Sequence, residues 1–205
     1  MMDEKDLIAR AAKGDLPAFE ALVVLKRERV FWIAYHLVGD AELAKDVTQE
    51  VFLRLYRVMR RFRQGGRFDA WLYRITMHLG IDALRRERPH RGAVPLEEVP
   101  ERNLAEGGRR GEPAGSGGGA PGAGAATGES LRQREIRRIF VTLSALLTPR
   151  QREAFILREI EGLETAEVAA ILRTSASTIR NHILQARRIL QAELRRRYPE
   201  YCPPE

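Results

Sequence analysis

Asp46, Gln49 and Glu50 stand three and four residues apart, so on a helix they share one face. Carboxylates and an amide grouped this way suit charge-assisted hydrogen bonds to an arginine-rich partner. A second group is Ser177, Thr178, Arg180, Asn181, Gln185 and Arg188. Short hydroxyl side chains at a helix's leading end, followed by amides and guanidinium groups, are what reads base edges and holds phosphates in a major groove. A third group interleaves rings and cations: Phe62, Arg63, Gln64, Arg67, Phe68 and Trp71, continued by Arg74, His78 and Arg85. Aromatics among arginines suit stacking on unpaired bases beside a phosphate-attracting surface. Phe68 and Trp71 also fit an inward apolar stripe, so the loop around Arg63, Gln64 and Arg67 and the face Arg74, His78, Arg85 are the better DNA candidates. Other chemistries lack their parts. His36, His78, His90 and His182 have no ligand spacing, and no P-loop or nucleophile motif occurs. The expectation is no catalytic residue, no metal, no cofactor and no small-molecule substrate.

The elements that must position these groups read as helices. Phe19, Leu22, Val23, Val30, Ile33 and Leu37 recur at helical spacing. Gly39 and Asp40 break the pattern, with Asp40 a good N-cap for a helix over 41–61 that buries Ala44, Val47, Val51 and Leu55. A turn at Gln64, Gly65 and Gly66 precedes a helix with the stripe Phe68, Leu72, Ile75 and Leu79. Further on, Ile136, Ile139, Phe140, Leu143 and Leu147 form a stripe, and Thr148-Pro149-Arg150-Gln151 has the makings of a capping box with proline at the first helical position. Residues 165–192 read as two helices around the polar break Arg173-Thr174-Ser175, a helix-turn-helix. The second helix starts near Ala176 and buries Ile179, Ile183, Ala186, Leu190 and Leu194. No stretch alternates with period two, so the fold class is all-α: two small helical domains joined by a flexible linker.

Residues 107–128 hold 10 of the 17 glycines and have no apolar periodicity, so they cannot bury enough surface to offset their ordering entropy. The boundaries read as 1–88, a Gly/Ala-rich linker over 89–129, and 130–205. The net charge of +7 divides into +4, −2 and +5 over these segments, and arginine supplies 31 of the 35 basic residues. A tether of that length spans roughly 35 Å on average, about one turn of duplex. Two basic units on an acidic tether can occupy separate sites on one DNA. No apolar run approaches the roughly 20 residues a membrane helix needs. The start lacks a signal peptide's apolar core, and the lone Cys202 excludes an internal disulfide. These features point to a soluble protein of the reducing cytoplasm. No basic or histidine partner for Cys202 is evident in the sequence, so it reads as a bystander rather than a redox sensor.

The stretches Asp46-Val-Thr-Gln-Glu-Val-Phe52, Trp71-Leu-Tyr-Arg-Ile75 and Asp82-Ala-Leu-Arg-Arg86 resemble region 2 of bacterial sigma factors of the extracytoplasmic-function (ECF) group. Leu147-Thr-Pro-Arg-Gln-Arg-Glu-Ala-Phe-Ile-Leu-Arg-Glu-Ile-Glu-Gly162 and the helix-turn-helix after it resemble region 4. The resemblance covers about 6–88 and 131–197. It implies that Asp46, Gln49 and Glu50 bind core RNA polymerase (β′ and β subunits), through the β′ clamp helices. It implies that Arg63, Gln64, Arg67, Arg74, His78 and Arg85 bind the minus-ten element, with an extruded base captured at 62–67. Ser177, Thr178, Arg180, Asn181, Gln185 and Arg188 then read the minus-thirty-five element as duplex. The acidic linker would run near the RNA path. The partners implied are core polymerase, promoter DNA and an anti-sigma factor, and the chain makes or breaks no bond: it stabilises opened DNA, offsetting the unstacking cost as base-flipping proteins do.

His78, Asn181 and His182 depart from the residues common in that family, and the recognition helix opens Ser-Thr-Ile where Gly-Thr-Val is usual. These positions bear on which promoter is read rather than on the class. Two rival readings are a helix-turn-helix regulator acting on an operator without polymerase, and a small metal-dependent enzyme. The first leaves residues 46–52 and the arginine-aromatic loop without a role. The second lacks a ligand set.

Overall fold

The computed structural model describes residues 3–62, 67–87 and 131–202. Its described residues are helical, without strands. The N-terminal unit, which the sequence likens to region 2, begins with α1 (Glu4–Ala12), which lies along α2 (Leu16–Val38). Asp15 starts α2 by accepting from the Ala18 amide (3.1 Å), with a proline in the first turn where no N–H is needed. Asp40 caps α3 (Ala41–Val58) from the Leu43 amide (2.9 Å) as its position predicts. The sequence reads α3 as running to 61, but a 3-10 turn over Met59–Arg61 replaces its last turn. The fourth helix, α4 (Phe68–Glu87), packs on both α2 and α3. Lys26 on α2 is buried, with Glu4 at 2.7 Å and Asp69 at 2.8 Å. One desolvated ammonium thereby joins α1, α2 and α4, and removing either carboxylate would leave it undercompensated.

The C-terminal unit, likened to region 4, holds α5 (Leu131–Ser144), α6 (Pro149–Phe155), α7 (Thr165–Leu172) and α8 (Ala176–Arg197). Thr148 and Gln151 form the expected capping box. After α6 the backbone widens into a π turn over Ile156–Ile160. Two carboxylates beside this turn serve different partners: Glu159 meets Arg187 of α8 (2.8 Å), whereas Glu161 meets Arg29 of α2 (2.7 Å). Arg173 takes a left-handed conformation (φ 53°) at the end of α7, which makes the break between the two helices of the helix-turn-helix.

The described residues form two cores. One lies wholly within region 2 and includes Leu22, Val30, Val51, Leu55 and Leu72. The other is shared: Ile33, Leu37, Tyr73 and Met77 of region 2 pack with Ile156, Leu157, Val168, Ile171, Ile179 and Ile183 of region 4. Chain composition leaves the placement of the two units open, and here they sit against each other. Gly39 permits that approach, and Gly80 lets α4 close on α2 within the first unit. A Cβ on Gly80 would lie 2.4 Å from Leu37, and one on Gly39 (φ 80°) 2.9 Å from Val141 of α5. At the same seam His36 is buried edge-on to Phe140 (5.5 Å), with Nδ1 lacking a hydrogen-bond partner. Burial, aided by the charge of Arg137, pulls its pKa down to about 4. Ile136, expected in the α5 stripe, is 48% exposed. The adjacent Arg137 stacks over Trp32 (3.7 Å), so this turn meets α2 through a guanidinium.

Candidate nucleic-acid interface

On α3, Ala44, Val47, Val51 and Leu55 face the core, which leaves Asp46 and Gln49 exposed and Glu50 half-exposed on one ridge. Leu53 lies three residues after Glu50 and Tyr56 three after that, and they are 52% and 55% exposed. The ridge therefore continues from acid and amide into large apolar side chains. Sequence reasoning passed over both; the available signal was that they are out of phase with the buried stripe. A cleft of about 330 Å³ opens beside the ridge, lined in part by Asp40, Glu42, Asp46 and Glu87.

The start of α4 holds an aromatic cluster. Phe62 stacks on Trp71 (5.2 Å) and meets Phe68 edge-on (5.5 Å). Phe68 is buried and Trp71 half-buried, in keeping with the inward stripe. Arg63 and Gln64 lie outside the described residues. Arg67 is exposed and ion-paired with Glu167 of α7. Arg74 is half-buried, with Nε donating to the Ile171 carbonyl (3.2 Å) and Nη2 to the Ala170 carbonyl (3.1 Å). Burial, reinforced by Arg173, lowers the Arg74 pKa, though a guanidinium keeps its charge. His78 is exposed, its Nδ1 2.8 Å from the Arg74 carbonyl, and Arg85 is exposed with Asp82 at 3.8 Å. Arg74, His78 and Arg85 share one face of α4, as their spacing predicts.

The leading end of α8 is built on Ser175, whose Oγ accepts from the Thr178 amide (3.0 Å) and also contacts Ser177 Oγ (2.7 Å) and Thr178 Oγ1 (2.8 Å). Ser177, Arg180, Asn181, Gln185 and Arg188 are exposed and Thr178 is half-exposed. Ile179, Ile183 and Ala186 hold the opposite face in the core, while Leu190 and Leu194 are only half-buried. Gln185 is held by Gln151 of α6, whose Nε2 donates to it at 2.8 Å. The half-buried His182 has a lowered pKa through burial and then Arg150, which favours a neutral ring. The α8 set thus stays on one open face, while Arg67 and Arg74 turn toward region 4.

Sequence comparison agrees with this arrangement of two units. Sigma-70 region 2 matches residues 22–90 and Sigma-70, region 4 matches residues 137–190. The ECF RNA polymerase sigma factor SigE of Mycolicibacterium smegmatis is 33% identical over 88% of the chain, which spans 64% of that relative's length. The ECF RNA polymerase sigma-E factor of Escherichia coli is 29% identical, with 91% of each protein covered. The RNA polymerase sigma-H factor of Pseudomonas aeruginosa is 29% identical over 93% of each. The fold is that of CnrH, solved in complex with the cytosolic domain of CnrY (TM-score 0.67, 22% identity, 95% of this chain and 99% of that one). It is also that of the sigma factor RpoE of Bartonella quintana, solved with the anti-sigma factor NepR (TM-score 0.59, 23% identity, 86% and 96%). The chain belongs to the sigma-70 family of RNA polymerase sigma factors, in its ECF group.

Proposed function

We propose that the chain is a promoter-specificity subunit that binds core RNA polymerase, recognises promoter DNA and stabilises the opened strands at initiation. The observation that carries this reading is the exposed acid-and-amide ridge of α3, which its own fold does not use, in a chain that also presents a helix-turn-helix. In this reading residues 1–88 are region 2, 89–129 the linker and 130–205 region 4. Asp46, Gln49 and Glu50, extended by Leu53 and Tyr56, form the polymerase-binding face: charge-assisted bonds supply orientation and the apolar end supplies buried area. Arg63, Gln64, Arg67, Arg74, His78 and Arg85 hold the minus-ten strand. The open face of α8 reads the minus-thirty-five duplex through Ser177, Thr178, Arg180, Asn181, Gln185 and Arg188. The chain supplies binding energy for melting and no bond-making chemistry. It acts in the cytoplasm, in keeping with the absence of any helix long and apolar enough to cross a membrane among the described residues. An anti-sigma protein holds it in check, a reading supported by the NepR complex of RpoE.

Copurification with core polymerase and run-off transcription on genomic fragments test the reading together. The chain is expected to bind core and to direct discrete transcripts. Asp46→Arg with Glu50→Arg should weaken core binding more than about tenfold, because like charges then face the partner. Binding to duplex DNA without any binding to core, unchanged by the charge reversal, would overturn the reading in favour of an operator-binding regulator.

A further inference from the structure

Gln151 of α6 is 8% exposed, and both ends of its side-chain amide are engaged. Its Oε1 accepts from the Thr148 amide (3.0 Å), completing the capping box that starts α6. Its Nε2 donates to Oε1 of Gln185 on α8 (2.8 Å). The direction of both bonds is forced. A backbone N–H can only donate, so the Gln151 atom facing Thr148 must be the oxygen, and the atom left for α8 must be the nitrogen. An amide nitrogen in turn only donates, so Gln185 must answer with its oxygen. Gln185 is exposed on the open face of α8, one turn from Asn181 and Arg188. Its own Nε2, with two hydrogens to give, is the end left for a ligand.

We infer that Gln151 is a positioning residue for base readout: buried beneath α8, it presets Gln185 as a donor and so determines which base that side chain selects in the minus-thirty-five duplex. A glutamine free to turn pairs with adenine through both ends of its amide, accepting from N6 and donating to N7. With Oε1 drawn back to α6, adenine is left with N7 alone. Guanine presents two adjacent acceptors, N7 and O6, and no donor on that edge. The preset amide therefore matches guanine and rejects cytosine, whose N4 amino group would meet a second donor. Thr148, Gln151 and Gln185 form a relay in which the cap of one helix sets the base preference of another. This inference rests on the duplex-reading role proposed for α8.

The test uses the full chain bound to core RNA polymerase and selection from a randomised duplex library, read by sequencing. Gln185→Ala identifies the base pair that Gln185 reads, as the one whose preference it levels. There the unsubstituted chain should favour guanine over adenine on the contacted strand by about three- to tenfold, the contribution of one hydrogen bond. Gln151→Glu keeps an oxygen for the Thr148 amide, as glutamate does in capping boxes, but turns the second atom into an acceptor. Gln185 must then donate inward and present its oxygen outward. The preference should invert toward adenine or cytosine, whose amino groups donate, and Gln151→Glu with Gln185→Ala should stay level. Gln151→Ala only frees the Gln185 carbonyl and should move the preference toward adenine by less; it carries the test if the glutamate variant fails to fold. A uniform loss of binding with the guanine preference intact in the Gln151 variants would overturn the inference and leave Gln151 as a cap alone. Adenine favoured by the unsubstituted chain, or unaltered preferences at every pair in Gln185→Ala, would overturn it too, while an enriched sequence would still uphold promoter reading. If the unsubstituted chain enriches no sequence, the underlying function itself fails.

Discussion

Region 2 and region 4 achieve order by different means. Region 2 wraps its own core with four helices, one of them spanning Leu16–Val38, and buries a lysine between two half-exposed acids. Region 4 is made of shorter pieces fixed by side-chain caps at Thr148, Glu164 and Ser175, and its apolar faces are completed by side chains of region 2. The first unit is self-sufficient in its packing, whereas the second leans on the first. A shared face and a few guanidinium contacts can be exchanged for contacts with another partner, whereas a sealed core cannot.

The largest effects should come from cutting each core. Leu22→Ala and Leu157→Ala each remove a fully buried side chain and should cost about 2–5 kcal/mol. They should differ in reach: Leu157→Ala lowers hydrogen-exchange protection in region 4 and leaves α3 protected, whereas Leu22→Ala lowers both. Equal reach for the two substitutions would break the asymmetry. Next comes the seam histidine. His36 stays neutral in the fold down to about pH 4, while the unfolded chain takes up the proton near pH 6.5. Stability should therefore fall as pH drops between those values, by about 3 kcal/mol in total. His36→Phe, which cannot titrate, should lack this share of the pH dependence in denaturant titrations at pH 7 and pH 4. The smallest effect is local to region 4: Thr148→Ala removes one half of the capping box and should cost about 1 kcal/mol, readable as a lower melting temperature.

Much of this was legible in the residues because it is local. Asp40, Thr148 with Gln151, and the Arg173–Ser175 break act on amides or dihedrals within a few positions of themselves, so their spacing announces them. The buried phases of α3, of α4 up to Ile75 and of α8 up to Ala186 follow from helical periodicity in the same way, whereas Leu79, Leu190 and Leu194 are only half-buried. What stayed hidden is what depends on partners distant in the chain. Arg74 and Arg152 bind backbone carbonyls, which every residue owns and no side-chain pattern marks. Ile33 and Leu37 fit the α2 stripe equally well whether they face region 2 or region 4. Leu53 and Tyr56 are large and apolar, yet their exposure appears only once the α3 core face is fixed by its neighbours.

The π turn over Ile156–Ile160 has a consequence for how such a chain can change. A π turn holds one residue more than the α-helical ladder needs, so losing any one of its five residues would restore ordinary winding. Everything after it would then rotate by about 100° relative to what comes before. Glu159 and Glu161 now address one unit each, α8 and α2 respectively. In the rewound chain that division of labour is lost, although Glu161 and both arginines remain. A single codon thus bears on one of the contacts that join the two units.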